Sequence, residues 1–206
     1  SLTKYDEENS KFEDRMALYP QSGVIVAVGG KNMVSGKGFV FFQAGDEFKE
    51  PDELDKNLTL YGCYDEKILL ERFWDTIASM DQGGHKLQKL VTFNGKGFDL
   101  PFIFYRSAVH GIKVAHALGH KAGGSSFHCD LLEETGFFRK LRKFSLEVTA
   151  RSLGIVSHRT EDYNGKKVWE WFDEGDFEQI ARYCYQDVEL TEQVYKKLKS
   201  SWALFL

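Results

Sequence analysis

The sequence predicts an α/β fold, a mixed central sheet flanked by helices, on three observations. Two apolar runs, VIVAVG at residues 24–29 and GFVFFQ at 38–43, flank a glycine-containing turn and read as the strands of a hairpin. A third β-prone run at 90–93 stops at Asn94-Gly95 and Gly97 and gives way to a helical pattern over 101–111. The stretch 176–200 repeats apolar residues at helical spacing along its whole length.

Composition sets the outer bounds. With 206 residues, 42% hydrophobic and 28% charged, the chain reads as a single globular domain over 1–206 with a sizeable core. No apolar run approaches the roughly 18 residues of a membrane span, and residues 1–20 are polar and charged without a signal-peptide pattern. The expectation is a soluble protein of the cytoplasm, with no membrane partner. Cys63, Cys129 and Cys184 are odd in number and spaced like neither a zinc site nor a disulfide framework, so reduced core thiols are expected. A net charge of -4 argues against sequence-blind binding of nucleic acid by a broad basic face. It does not argue against an enzyme that grips a nucleic-acid end through cations, because carboxylates that hold metal make the metal-free chain acidic.

Each element has a local reason. Asp65 reads as the N-cap of a helix to about Met80, with Leu69, Phe73 and Ile77 on one face, Leu70 and Trp74 beside it, and the sheet beneath. Pro101 is pre-set for a first turn and Gly111 ends the second helix, which puts Asp99 at that helix N-terminus, beyond the carboxyl end of the strand. Open α/β sheets bind ligands there, although an acid in this position also serves as a plain helix cap. Residues 115–126 read as a loop, and FHCDLL at 127–132 as a short strand entering a helix. Four histidines, His110, His116, His120 and His128, raise the question of a metal site, but only His116 and His120 have i, i+4 spacing, in a glycine-rich loop, and solvated loop histidines are the preferred reading.

Residues 137–144 carry Arg139, Lys140, Arg142 and Lys143 among Phe138, Leu141 and Phe144. Such a segment either binds a single strand by phosphate contact and base stacking, or is a helix with its charges in solvent and its aromatics in the core; the helix is preferred. Ser145 caps the next helix and Gly154 closes it. Residues 156–171 read as a loop or hairpin around Asn164-Gly165. The last helix starts near Asp176, with Gln179 in the capping-box position, and buries a stripe of Phe177, Ile180, Ala181, Cys184, Val188, Thr191, Val194 and Leu198. Tyr183 and Asp187, four residues apart, share one face at the edge of that stripe. Taken alone, Tyr183 is a packed aromatic with a wet hydroxyl.

Asn94-Gly-x-x-Phe98-Asp99, followed about ninety residues later by Tyr183-x-x-x-Asp187, resembles two of the three motifs of the DEDD-type 3'-5' exonucleases with a tyrosine in the last motif. The likeness is strongest to predicted exonucleases related to the proofreading domain of family B DNA polymerases, and it extends from about Phe12 to Leu198. FHCDLL resembles the His-x-Asp-Leu element of the same family. The resemblance implies an RNase H-like fold and hydrolysis of phosphodiester bonds at the 3' end of nucleic acid, single-stranded DNA ahead of RNA. It implies two divalent cations, Mg²⁺ or Mn²⁺, held by Asp99 and Asp187, with Tyr183 orienting the attacking water and Asn94 and Phe98 contacting substrate. Hard cations of this kind favour carboxylate oxygens. A tyrosine with an ordinary pKa near 10 orients a water more readily than it deprotonates one.

The third motif, an Asp-x-Glu pair on a buried first strand, has no counterpart just before residue 24. Asp6 and Glu8 have the spacing, but residues 2–5 include Thr and Lys and do not read as a buried strand. In the family the pair runs straight into Ser or Thr, and the numbered chain begins at Ser1. The expectation is that this polypeptide lacks the first motif strand and holds about half a metal site. The alternative function is a catalytically incomplete nuclease-like module that binds nucleic acid or a protein partner. Oligomeric state is not written in the sequence.

Overall fold

The computed structural model describes residues 18–47, 52–55, 57–82, 89–114, 118, 127–138, 140–156 and 165–202. Six strands and six α-helices lie within them: β1 (Ala27–Lys31), β2 (Gly38–Gln43), β3 (Asp52–Asp55), β4 (Leu58–Cys63), α1 (Glu66–Gln82), β5 (Leu90–Thr92), α2 (Asp99–Val109), β6 (His128–Asp130), α3 (Leu131–Thr135), α4 (Leu146–Ser152), α5 (Gly165–Glu174) and α6 (Phe177–Ser201). This is the mixed α/β architecture the sequence predicts, consistent with an RNase H-like exonuclease fold.

The strands form two sheets rather than one. β1-β2-β4-β3 is a mixed four-stranded sheet, and β5 pairs with β6 in a parallel two-stranded one. β1 and β2 make the expected antiparallel hairpin, from Ala27 opposite Phe42 to Lys31 opposite Gly38. The first strand starts three residues later than its apolar run, is half-buried throughout, and leaves Val24 exposed; among the described residues β1 lies at the edge of the sheet, with no strand neighbour on one side. β4 lies parallel to β2 and antiparallel to β3.

Alternation along β2 divides the interior. Phe41 points to one face, where it packs with Ile25, Leu69, Leu70, Phe73, Trp74 and Ile77 and with Leu100, Phe102 and Ile103 of α2. Val40 points to the other, with Leu58 and Leu60 of β4 against Ala181 and Tyr185 of α6. Helices thus cover both faces, and the five residues predicted for the inner side of α1 are all buried. Fully enclosed Leu69 and Leu70 each contribute on the order of 2 kcal/mol by leaving water. The Tyr185 ring approaches Gly38 so closely that a Cβ there would meet it at 2.4 Å. A third cluster, Cys129, Leu131, Ala150, Leu190, Val194, Tyr195 and Leu198, fixes the far half of α6 to β6, α3 and α4.

α6 is accordingly buried on more sides than one stripe would allow. Ile180, Ala181, Val194 and Leu198 are buried as predicted; Phe177, Cys184, Val188 and Thr191 are half-buried; and Tyr185, Leu190, Glu192 and Tyr195 are buried in addition. Glu192 is enclosed because Lys31 and Lys196 pair with it at 2.8 and 2.7 Å.

The helix ends follow local chemistry. Asp65 Oδ1 accepts from the Ile68 N–H at 2.9 Å, Ser145 Oγ from Val148 and Asp176 Oδ1 from Gln179. Two expectations are corrected. Gly165 opens helix α5 in place of the loop or hairpin that the sequence favours; Phe172 packs edge-on against Phe177 and Trp171 edge-on against Tyr183, so packing on α6 overrides the local turn signal. The described residues 137, 138 and 140–144 do not form a helix: Phe137 and Phe138 take left-handed backbone angles (φ 46 and 53), and Phe137, Phe138, Leu141 and Phe144 are exposed rather than in the core.

A buried ion cluster ties α1 to α2. Burial pushes the Glu66 carboxyl up, but hydrogen bonds from Arg106, His110 and the Ile25 N–H more than offset this and hold it below its ordinary value. The Arg106 guanidinium grips both oxygens, at 2.9 Å (Nε to Oε1) and 2.6 Å (Nη2 to Oε2). Glu66→Ala leaves that guanidinium buried and uncompensated, and a loss of about 3–5 kcal/mol is expected in urea unfolding.

Candidate functional site

Asp99 reaches its place through β5 and a tight turn. β5 ends at Thr92, Asn94 turns the chain with a left-handed φ of 65, and its carbonyl accepts from the Gly97 and Phe98 N–H groups at 3.1 and 2.9 Å. Left-handed backbone is most tolerable for Gly and Asn, which is why Asn suits this corner. The cap position of α2 is taken by Phe98, without a side-chain cap bond, so Asp99 is the first helical residue and the plain capping role falls away. Pro101 sits in the first turn, where its missing N–H costs nothing.

A residue given no role by sequence reasoning holds this turn. Asp130, fully buried at the end of β6, accepts from the Asn94 N–H at 2.8 Å and the Lys96 N–H at 2.9 Å, and caps α3 through Leu132 N–H at 3.0 Å. Both carboxylate oxygens are thereby committed to backbone amides, which suits a positioning residue rather than a ligand. Next to it His128 bonds Thr92 Oγ1 at 2.8 Å, and burial together with the Lys96 charge keeps its imidazole below the ordinary value and neutral. The signal that finds Asp130 is an acid at a strand end followed directly by a helical pattern.

Asp187 and Tyr183 lie half-buried on α6, one turn apart, and the Tyr183 ring meets Trp171 edge-on at 5.9 Å between centroids. Cys184 lies on the same helix, three residues before Asp187. Burial pushes its thiol up to about 12, and the carboxylates of Asp187 and then Asp99 push the same way. Its sulfur rests on β1, where a Cβ on Gly29 would meet it at 3.1 Å. Tyr183, Cys184 and Asp187 thus stand on the part of α6 that packs on β1, and α6 also touches β5, the strand that leads to the Asn94 turn and Asp99.

Burial in crowded surroundings pushes the Asp99 carboxyl up to about 6, against a bond from its own N–H, and the Asp130 charge adds to the rise. Asp99 also keeps an exposed side, so water screens part of this effect and the upward direction is the firm result. Phe98, exposed beside it, stacks obliquely on Phe102 at 5.6 Å. Asn94 contributes its backbone to the turn. Cys63, Cys129 and Cys184 are all free thiols. Of the histidines weighed as a metal cluster, His110 bonds Glu66 and His128 bonds Thr92, while His116 and His120 lie outside the described residues, as do Asp6, Glu8 and Arg139.

Asp99 and Asp187 supply hard oxygen donors, the type that Mg²⁺ and Mn²⁺ take. Among the described residues no three His, Cys, Asp or Glu side chains form a group able to hold a metal ion, so these two acids amount to part of a donor set. No helix among the described residues is long and apolar enough to cross a membrane.

Residues 48–203 match the model of a family described as predicted 3'-5' exonuclease related to the exonuclease domain of PolB. The chain is also 31% identical over 115 residues to the catalytic subunit of DNA polymerase epsilon from Schizosaccharomyces pombe, covering 52% of this chain and 4% of that protein. Against the corresponding Saccharomyces cerevisiae protein it is 28% identical over 109 residues, 49% of this chain and 5% of the relative. The chain thus spans only a small fraction of the length of these relatives.

Two outcomes follow. Because the folded Asp99 pKa lies above its unfolded value, ionising it opposes folding; that cost is fully present above about 6 and is relieved as pH falls toward the unfolded value. A carboxyl titration followed by NMR in metal-free protein should place Asp99 well above an ordinary aspartate, whereas a midpoint near 4 contradicts the crowding described. Asp130→Ala should destabilise the fold by on the order of 3 kcal/mol and accelerate amide exchange at Asn94, Lys96 and Leu132 ahead of the rest of the molecule.

Proposed function

The chain belongs to the predicted 3'-5' exonucleases related to the exonuclease domain of PolB, and we propose that it is a metal-dependent enzyme of that kind, acting on single-stranded DNA ahead of RNA. The observation that carries this reading is the family match over residues 48–203, a stretch that contains Asp99 at the start of α2 and Tyr183 and Asp187 one turn apart on α6. In this reading Asp99 and Asp187 hold two divalent cations, Mg²⁺ or Mn²⁺. Such a pair of ions supplies a hydroxide-like nucleophile and relieves charge at the pentavalent phosphorus.

The chain's own residues do the rest. Tyr183, oriented by the edge of Trp171, hydrogen-bonds the attacking water and sets its line to the phosphorus. The exposed Phe98 ring offers a face for the terminal base, and Asn94 shapes the turn that brings the 3' end to Asp99. Water adds to phosphorus, the bond to the 3'-oxygen of the penultimate nucleotide breaks, and that oxygen leaves with a proton as a 3'-hydroxyl.

The remaining ligands are assigned to an Asp-x-Glu strand. β1 and β5 each keep one edge without a strand partner among the described residues, and both pack on α6. A strand laid between them would join the two sheets and carry its acids to the side of Asp99 and Asp187. Asp6 and Glu8, or a segment preceding Ser1, could provide it. The second reading, a module that binds without cleaving, applies if neither does, since two acids alone leave the donor set incomplete.

The test is Mn²⁺-dependent release of nucleotides from a 3'-labelled single-stranded oligonucleotide. Asp187→Ala should lower the rate at least about a hundredfold, and Tyr183→Phe less. Activity in this chain that Asp187→Ala removes supports a complete site. Activity confined to an N-terminally extended chain assigns the missing strand upstream, and activity in neither favours the binding module.

A further inference from the structure

We infer that the loop between α3 and α4 is a landing surface for single-stranded nucleic acid, guiding the strand whose 3' end lies at Asp99 and Asp187; this rests on the exonuclease reading above. Phe138, Leu141 and Phe144 are 66%, 56% and 53% exposed, an unusual outlay of large apolar surface for one short segment. Cations are interleaved with them. Lys140, Arg142 and Lys143 are exposed, and among the described residues none is within ion-pair distance of a carboxylate. The Arg142 guanidinium lies over the Phe144 ring, 5.8 Å from its centroid. Stacking faces set beside unneutralised cations complement a chain of bases and phosphates, whereas an apolar protein partner would have no use for the charge.

The loop is a built surface rather than a loose one. Phe138 and Leu141 donate backbone N–H bonds to Glu133 and Gly136 at 2.8 and 3.0 Å, and the Phe137 ring rests on Trp202 at 5.6 Å. These ties hold Phe137 and Phe138 in left-handed conformations that aromatic residues rarely adopt, and so keep the Phe138 ring turned outward. Placement suits the role as well. α3 alone separates the loop from Asp130 and the Asn94 turn, a rise of roughly 7.5 Å for five residues. Trp202 stands roughly 22 Å from Asp187 along the α6 axis, a distance of a few nucleotides.

The probe is a fluorescently labelled 20-nucleotide oligo(dT), its binding followed by anisotropy in EDTA so that no cleavage occurs, over a series of salt concentrations. Lys140→Gln/Arg142→Gln/Lys143→Gln should weaken binding about tenfold and make the salt dependence shallower by about 2 in the log-log slope, since each single-strand phosphate contact contributes about 0.7. Phe138→Ala/Phe144→Ala should weaken binding with the slope unchanged. All five side chains are exposed, and circular dichroism checks that both variants fold. Hydrolysis of the p-nitrophenyl ester of thymidine 5'-monophosphate, too small to reach the loop, reads the acidic site alone and should be equal in wild type and both variants. Wild-type affinity and slope in the charge variant, or no binding by the wild type, would overturn the inference. Binding through the loop with no hydrolysis by this chain or by an N-terminally extended one keeps the loop as a single-strand binding surface and removes the exonuclease reading instead.

Discussion

One carboxylate organises the region where the chemistry is placed. Asp130 is the last residue of a three-residue strand, and it takes two amides of a turn more than thirty residues earlier while capping its own helix. A charged acceptor enclosed at 1% exposure is tolerable only because backbone donors replace the lost water, and that same requirement fixes where the donors must be. The parallel pairing of β5 with β6 brings Thr92 opposite Asp130, so strand register and turn position are set together. Asp99 inherits its position from this arrangement: it leaves a turn whose shape another residue enforces.

The opposite wall is α6, which packs on one face of the four-stranded sheet with its first half and on the small helices with its second. Tyr183, Cys184 and Asp187 fall where it crosses β1. The thiol of Cys184 is seated there against β1, and it has room because Gly29 lies beneath it. Asp99, held above the ordinary carboxylate range chiefly by burial, is the perturbed acid of this region, and such groups cluster where a fold does chemistry.

What could be read from the sequence is what local chemistry decides. Caps at Asp65, Ser145 and Asp176, the apolar face of α1 and the strand-turn-helix unit around Asn94 and Asp99 depend on near neighbours, and each stands where the pattern puts it. The failures share a cause in distant contacts. α5 forms because Trp171 and Phe172 find aromatic partners on α6, against an Asn-Gly pair that locally favours a turn. The loop at 137–144 has a helical pattern of charge and aromatics, yet its two left-handed phenylalanines, tied back to α3 and resting on Trp202, turn that pattern outward. Tyr185 and Tyr195 look like surface tyrosines until a second packing partner for α6 is known. At the site, the motif pair picks out Asp99, Tyr183 and Asp187, while the grip of Asp130 on the Asn94 turn depends on the pairing of β5 with β6, which sequence does not display.

The hairpin of β1 and β2 lies outside the stretch that matches the exonuclease family, which begins at residue 48. Yet Gly29 and Gly38 of that hairpin are the surfaces on which Cys184 and Tyr185 sit, and Phe41 fills the core beneath α1. The limits of recognisable kinship and the limits of the cooperative folding unit therefore do not coincide in this molecule. A fragment cut at the boundary of similarity would keep every residue of the two motifs and lose the floor on which α6 is seated.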